Sequence, residues 1–160
     1  MYMFGGTMQV KTSKDVFYLN QEIFPRIPVP HDNKINSITL EDGFLSFTLE
    51  TDIDDKDDSI QYYKPGAKGL VIRYHITDTE GLNIYKEKHS PRHLSWLIPP
   101  RFIMLDDRRV GKYINKDHSF EYLYHYVGDN TIIIELFSKA EHAIVCLEAY
   151  ADYIEYEWIF

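Results

Sequence analysis

The sequence predicts a mainly β protein, an antiparallel β-sandwich or barrel-like single domain that covers residues 1–160. Three observations support this fold class. Apolar and polar residues alternate with period 2 along most of the chain, turn-forming residues separate short runs, and aromatic residues, which favour strands, make up 15% of the composition. A chain of 160 residues is long enough for one domain with a core of its own.

Pairs of short runs on either side of turn residues predict antiparallel hairpins. The first pair surrounds Glu41-Asp42-Gly43. The segment 24–30 contains three prolines and predicts an extended connector instead of a central strand. The other predicted hairpins join 70–77 with 82–86, 101–105 with 112–114, and 120–127 with 131–137.

One short helix is predicted near 91–98. Ser90 supplies an N-cap residue, Pro91 suits the first helical position, and Pro99-Pro100 ends the segment. No internal repeat or low-complexity tract indicates a second domain.

The C-terminal segment has two interpretations. Ser138 and Glu141 fit a capping box, which would begin a helix over 139–157 and make the fold α+β. The competing interpretation is a strand with a bulge near Asp152. Its first face contains Val145, Leu147, Ala149, Ala151 and Tyr153, and the apolar pattern continues on the other face with Ile154, Tyr156, Trp158 and Phe160. We adopt the strand, since the aromatic and β-branched end of the chain is a poor helix former.

Composition limits the function classes. The formal net charge is −8 and the pI is near 5.3, which argues against direct binding of nucleic acid. The same acidity leaves room for binding a basic protein surface, including the nucleic-acid-binding surface of another protein. The lone Cys146 excludes an intrachain disulfide. We find neither a signal peptide nor an apolar run long enough to span a membrane. We therefore expect a cytoplasmic protein, or one of the host cytoplasm or virion if the gene is viral.

The densest charge feature is the run TDIDDKDD at 51–58. It fits a solvated loop after a strand, an acidic contact for a basic partner, or a Ca²⁺ site, although Lys56 and the missing glycine exclude an EF-hand. The candidate partner-binding residues of this run are its aspartates, Asp52, Asp54, Asp55, Asp57 and Asp58.

An aromatic row forms the second candidate site. On a regular strand, Phe120, Tyr122, Tyr124 and Tyr126 share one face, and Glu121, Leu123, His125 and Val127 share the other. Core packing is the simpler interpretation. Three of the four are tyrosines, whose hydroxyls need partners, so a second interpretation is a half-exposed face that binds a partner. We take Tyr122, Tyr124 and Tyr126 as the candidate residues of that face.

The sequence supplies weak enzymatic leads. His75 and His93 each fit the His-x-Thr/Ser pattern of two-histidine phosphoesterases, which predicts that the two rings face each other across a cleft. His89 and His93 have the i, i+4 spacing of a metal pair but lack the glutamate of HExxH. Cys146 lies in an apolar run and is predicted to be a buried thiol. We predict no catalytic residues, no metal and no cofactor.

These observations favour a non-catalytic binding protein that presents an acidic, tyrosine-rich surface to a protein partner. Its most concrete form is an inhibitor or immunity-type protein that blocks a basic functional surface. The first alternative is a structural module of a larger assembly, such as a virion or secretion particle, and a large exposed apolar patch would favour it. Further alternatives are a sugar- or Ca²⁺-binding β-domain and a two-histidine phosphoesterase. The sequence specifies no oligomeric state.

Overall fold

The computed structural model describes residues 10–19, 26–114 and 119–160, and of residues 107–110 the backbone only. Within these ranges the chain forms nine strands and two α-helices. They are β1 (Thr12–Tyr18), β2 (Asn33–Glu41), β3 (Phe44–Leu49), α1 (Ser59–Tyr63), β4 (Gly69–Ile76), β5 (Asn83–Lys88), β6 (Arg101–Met104), α2 (Asp107–Ile114), β7 (Phe120–Gly128), β8 (Thr131–Ser138) and β9 (Ala143–Ile159).

Two predicted hairpins are confirmed. Glu41 of β2 pairs with Phe44 of β3, and both turn residues have positive φ, 52° at Asp42 and 80° at Gly43. Such a turn matches the twist of the two strands, and glycine adopts it without a Cβ penalty. The second hairpin joins β7 to β8 through Asp129-Asn130, with Gly128 paired to Thr131.

The predicted C-terminal strand and its bulge are also confirmed, except that Tyr153 lies on the outward side with Glu155 and not on the face of Ala151. His75 of β4 pairs with Tyr153 of β9, but the next residue, Ile76, pairs with Ala151, so Asp152 is the extra residue. Burial alternates from residue 143 to 151 and resumes in the opposite parity at Ile154. The alternative helix over 139–157 is wrong: Ser138 Oγ does accept a bond of 3.3 Å from the Glu141 N–H, but this contact closes the turn between β8 and β9.

The two halves of β9 pair with different neighbours. Residues 151–159 pair with β1 and β4, whereas residues 143–150 pair with β8 and β5. β4 and β5 follow one another along β9, and between them the Thr77 N–H donates to the Tyr150 carbonyl at 3.0 Å. The predicted hairpin of 70–77 with 82–86 is therefore wrong. Asp78 accepts bonds from the Glu80 and Gly81 N–H groups, which closes a small excursion without reversing the chain.

Six of the strands form a closed ring of pairings, in the order β2, β3, β4, β9, β8, β7. The ring closes where Asn33 and Lys34 of β2 pair with Tyr122 and Glu121 of β7. The inward side chains of all these strands form one apolar core, whose largest fully buried members are Trp158, Tyr74, Tyr122, Tyr156 and Phe47. The antiparallel, barrel-like fold class is thus confirmed.

Three smaller predictions need correction. The helix expected near 91–98 is a single 3-10 turn at Arg92–Leu94, because Ser90 caps nothing and the segment buries none of its side chains. The strand expected at 112–114 belongs instead to α2. In the connector predicted at 24–30, residues 26–30 have no regular structure, as expected, and 24 and 25 lie outside the described residues.

Candidate functional site

A bulge divides the aromatic row of β7. Tyr122 pairs with Leu136 of β8 and Tyr124 pairs with Glu135, so Leu123 has no partner in the register. Tyr122 is 0% exposed, whereas Tyr124 and Tyr126 are 44% and 51% exposed. The prediction that all four aromatics share one face is wrong, because the extra residue reverses the parity of the strand beyond it.

The inner half of the row belongs to a buried polar cluster. The Tyr122 hydroxyl lies 2.7 Å from His125 Nδ1 and 2.5 Å from the Tyr74 hydroxyl. The first contact suits Tyr122 as the donor to an unprotonated Nδ1, which leaves its oxygen to accept from Tyr74. His125, placed on the inward side by the bulge, is only 4% exposed. The three side chains thus satisfy one another inside the core.

Burial determines the charge state of this cluster. It lowers the pKa of His125 to about 4 and raises the pKa of Tyr74 and of Tyr122 well above the usual value for a phenol. At neutral pH all three groups are therefore uncharged. A buried imidazole with such a low pKa is a weak base, and the cluster fits a structural role in joining β4 to β7.

The outer half of the row lies on an exposed sheet face. Tyr124 is in register with Glu135 of β8, Cys146 of β9 and Tyr85 of β5, and Tyr126 is in register with Ile133 and Glu148. The rings of Tyr124 and Tyr126 lie 4.9 Å apart between centroids. We define the tyrosine face by its outward residues, Tyr85, Tyr124, Tyr126, Ile133, Glu135, Glu148 and Tyr150.

The tyrosine face is acidic. The outward positions of β5, β7, β8 and residues 143–150 of β9 contain glutamates but neither lysine nor arginine. Tyr85 donates its hydroxyl to Glu148 Oε2 at 3.0 Å, and this bond raises the pKa of Tyr85. In the described part of the chain Glu135 has no ion pair with a basic side chain.

Cys146 lies half-buried on this same outward side, not in the core as its apolar neighbours predicted. Burial, followed by the nearby carboxylates of Glu135 and Glu87, raises the pKa of the thiol to about 11. The thiol is therefore protonated at neutral pH, and a protonated thiol is a poor nucleophile.

The acidic run at 51–58 forms the loop between β3 and α1. Asp52, Asp54, Asp55 and Asp57 are exposed, and Asp55 accepts a bond from the Asp57 N–H within the loop. Asp58 instead is the N-cap of α1. Its carboxylate accepts from the Ile60 N–H and from Asn33 Nδ2, each at 2.7 Å. Only the first four aspartates are thus free to face a partner.

The two candidate sites meet at the buried end of β7. Asp58 bonds Asn33, and Asn33 pairs with Tyr122, so the acidic loop lies beside the inner half of the aromatic row. No contact among the described residues joins this loop to Tyr124 or Tyr126. Of the three predicted tyrosines, Tyr122 is a core residue, and only Tyr124 and Tyr126 are available to a partner.

We expect Asp58→Ala to lower the free energy of unfolding by about 2 kcal/mol, because the cap is lost and the buried Asn33 amide loses its acceptor. Asp54→Ala, an exposed aspartate of the same loop, is the matched control and should change the free energy by at most about 0.5 kcal/mol. Urea denaturation of both variants measures the difference. Equal effects would contradict the capping role.

The histidines that the sequence suggested for an enzymatic site, His75, His89 and His93, do not form a common site in the structure. His75 Nδ1 lies 2.6 Å from Asp152 Oδ1, and its ring stacks on Tyr153 at 4.7 Å. His93 lies in the exposed turn after β5, which pairs with the other half of β9. His89 Nε2 lies 3.0 Å from the His142 carbonyl oxygen. Across the residues that the structure covers, no group of three or more His, Cys, Asp or Glu could hold a metal ion.

Sequence reasoning missed most of the tyrosine face and a second exposed feature. Tyr85, Glu135, Glu148 and Tyr150 belong to three strands, and only the register brings them together. The second feature is the exposed apolar stretch around β6, in which Trp96, Leu97, Ile98, Phe102, Ile103 and Met104 are all exposed. The run WLIPPRFIM was its signal, because so apolar a stretch interrupted by two prolines fits a core strand poorly.

Comparison with known proteins gives no relative: no protein-family model, no curated protein and no solved structure matches the chain. Among the described helices, none has the length and apolar character needed to cross a membrane.

Proposed function

We propose that this protein is a non-catalytic binding protein whose tyrosine face engages a basic surface of a partner protein. The observation that carries the proposal is the composition of that face: exposed tyrosines alternate with glutamates, and no lysine or arginine lies among them. Tyrosines concentrate at binding hot spots because they supply a large apolar area and a hydroxyl with few rotatable bonds.

The outward side of residues 151–159 of β9, together with β1 and β4, provides a contrast within the same molecule. There, Lys14 pairs with Glu155 at 2.7 Å and Arg73 pairs with Glu157 at 2.7 Å, so its glutamates are neutralised by cross-strand partners. On the tyrosine face, Glu135 and Glu148 lack a basic partner of this kind in the described ranges. Uncompensated carboxylates on a rigid sheet attract a basic surface and raise the rate of encounter.

The narrower form of the proposal is an inhibitor or immunity-type protein. A rigid face of this kind binds without ordering a loop, which keeps the entropic cost of association low. The partner's complementary surface would be basic, as the functional surfaces of nucleic-acid-binding proteins are. We further propose that the protein works in the cytoplasm, or in the host cytoplasm or virion if the gene is viral, where Cys146 stays reduced.

The test compares captured partners. The immobilised wild type and a Tyr126→Ala/Glu135→Lys variant are each incubated with a lysate of the native source. We expect a basic protein to be enriched by the wild type and to bind the variant at least about tenfold more weakly, with affinity that falls as salt rises. The control, Tyr18→Ala/Lys14→Ala on the exposed side of β1, should bind as the wild type does. Equal loss in both variants, or no enrichment at all, would overturn the proposal.

A structural module of a larger assembly is the second candidate, and the apolar stretch around β6 favours it. Assembly modules expose apolar surface until their neighbours cover it. This candidate predicts that the native partner is a structural protein of the assembly and that its contact is lost on replacing Trp96 or Phe102, not Tyr126.

A further inference from the structure

β6 is an open edge of the sheet. It pairs with β5 along one side, from Lys88 opposite Arg101 to Tyr85 opposite Met104. No strand in the described ranges pairs with its other side. All of its residues are exposed, including Phe102 at 53% and Met104 at 58%. An exposed edge with apolar side chains is what proteins ordinarily block with charge, proline or a covering segment.

The direction of the backbone groups on β6 can be assigned. The Leu105 N–H, just beyond the strand, donates to the Ile84 carbonyl of β5 at 2.8 Å. Successive residues of a strand direct their N–H and C=O groups to opposite sides. Ile103 therefore bonds toward β5, as Leu105 does, and Phe102 and Met104 direct theirs toward the open edge.

The two faces of this edge differ in chemistry. Phe102 and Met104 lie on the face that continues from Tyr85. Arg101 and Ile103 lie on the other face, opposite Lys88 and Lys86. On that face a groove of about 310 Å³ is lined by Lys86, Lys88, Ile103 and Leu105, and it is bordered by Glu87, which the register places on the face of Phe102.

Two lysines line the groove, and Arg101 lies opposite one of them, Lys88, in the register. Lys86 is already paired with Glu141. In the part of the chain that is described, Lys88 and Arg101 make no ion pair. The acidic residue that borders the groove, Glu87, accepts a bond from the Ile144 N–H at 3.0 Å and lies 3.5 Å from His89 Nε2. The edge therefore offers unpaired backbone groups, apolar contacts on one face and unneutralised cations on the other.

We propose that β6 accepts an added strand from a partner protein, an extended segment in which acidic and apolar residues alternate. Its backbone bonds the free groups of Phe102 and Met104, its apolar side chains pack on these two side chains, and its carboxylates face Arg101 and Lys88. Charge disfavours the alternative in which two copies pair edge to edge, because the cationic faces of the two copies, each with Arg101 and Lys88, would then lie side by side on one sheet. The apolar side of this site adjoins the tyrosine face at Tyr85, but none of the proposed contacts uses a residue of that face, so the proposal does not depend on it.

The probe is the synthetic peptide EVEIEVE, which places glutamates on one face of a strand and aliphatic residues on the other. We expect it to bind the full chain, and we expect KVKIKVK, with the same aliphatic positions, to bind at least about tenfold more weakly. Fluorescence anisotropy of labelled peptides measures both. Equal binding of the two peptides, or no binding of EVEIEVE, would overturn the proposal.

Two variants test the backbone contact separately from the side chain. Met104→Pro removes the N–H at the open edge and leaves the bonds between β5 and β6 intact, whereas Met104→Ala keeps the N–H. We expect Met104→Pro to reduce EVEIEVE binding at least about tenfold and Met104→Ala to reduce it by less than about threefold. Circular dichroism checks that each variant is folded. Equal affinities of two folded variants would refute strand addition.

A third variant covers the case in which Met104→Pro does not fold. Arg101→Glu changes an exposed side chain on the cationic face and should weaken EVEIEVE binding and strengthen KVKIKVK binding. Sedimentation velocity then asks whether the wild type self-associates. A dimer that forms without peptide, and that must dissociate before EVEIEVE can bind, would show a second copy on this edge and would overturn the proposal.

Discussion

Replacing Tyr122 with alanine is expected to lower the free energy of unfolding by about 3–5 kcal/mol, whereas Tyr124→Ala should change it by about 0.5 kcal/mol. The two tyrosines are two positions apart on β7 and would share a face on a regular strand. The bulge at Leu123 places the first in the core, with no exposed surface, and the second on the tyrosine face.

The large cost at Tyr122 has two physical sources. Its ring packs edge-on against Phe47 at 5.7 Å between centroids, so truncation leaves a cavity in the core. Its hydroxyl bonds both Tyr74 and His125, so truncation also leaves a buried hydroxyl and a buried imidazole without their partner. Tyr122→Phe keeps the ring and should cost only the second part, about 1–3 kcal/mol.

Thermal and urea denaturation of the three variants measures these differences. For a chain of this size, the loss at Tyr122→Ala corresponds to a fall in Tm of roughly 10 °C. Similar destabilisation by Tyr122→Ala and Tyr124→Ala would mean that the row shares one face and that the bulge is absent. The tyrosine face would then lose one of its members, and the proposed binding surface would have to be redrawn.

The bulge in β9 could be predicted from the sequence, whereas the bulge in β7 could not. In β9, small and aliphatic residues recur at every second position up to Ala151, and Ile154, Tyr156 and Trp158 continue at the other parity, so the change is visible as a pattern. In β7, the odd and the even positions both contain apolar or aromatic side chains. The contact of His125 with Tyr74 of β4 determines that His125, and not Tyr124, is the buried residue. A local pattern cannot contain that information.

The same limit applies to topology. The turn residues between Gly69–Ile76 and Asn83–Lys88 suit a hairpin, yet both strands pair with β9, which follows more than fifty residues later in the chain. The tyrosine face could not be predicted for the same reason, because its members come from four strands and only the register aligns them. The hairpin of β2 with β3 was predictable because its Asp-Gly turn and its flanking runs are contiguous.

Acid is expected to destabilise this protein through His125, by about 3 kcal/mol between neutral pH and pH 4. The folded state lowers the pKa of His125 from 6.5 to about 4. Below pH 6.5 the unfolded chain therefore binds a proton that the folded chain does not, so stability falls as the pH falls through this interval. Below about pH 4 both states are protonated and the contribution of His125 becomes constant.

The cause is the burial of the imidazole together with Tyr74 and Tyr122. Both tyrosines are uncharged at every pH of this interval, because burial raises their pKa, and neither supplies a negative charge to stabilise an imidazolium. His125→Gln retains a side chain that can accept from Tyr122 and cannot become charged. The variant should therefore keep most of the stability at neutral pH and lose the pH dependence between 6.5 and 4.

Urea denaturation of the wild type and of His125→Gln at pH 7.5, 6, 5 and 4 isolates this contribution, because the carboxylates titrate alike in both proteins. The unfolding free energy of the wild type minus that of the variant should fall by about 1.4 kcal/mol for each pH unit below 6.5, until about pH 4. Parallel profiles for the two proteins would show that His125 is accessible to protons in the folded state. The buried cluster would then be open to water, and the bulge at Leu123 would direct His125 outward instead of into the core.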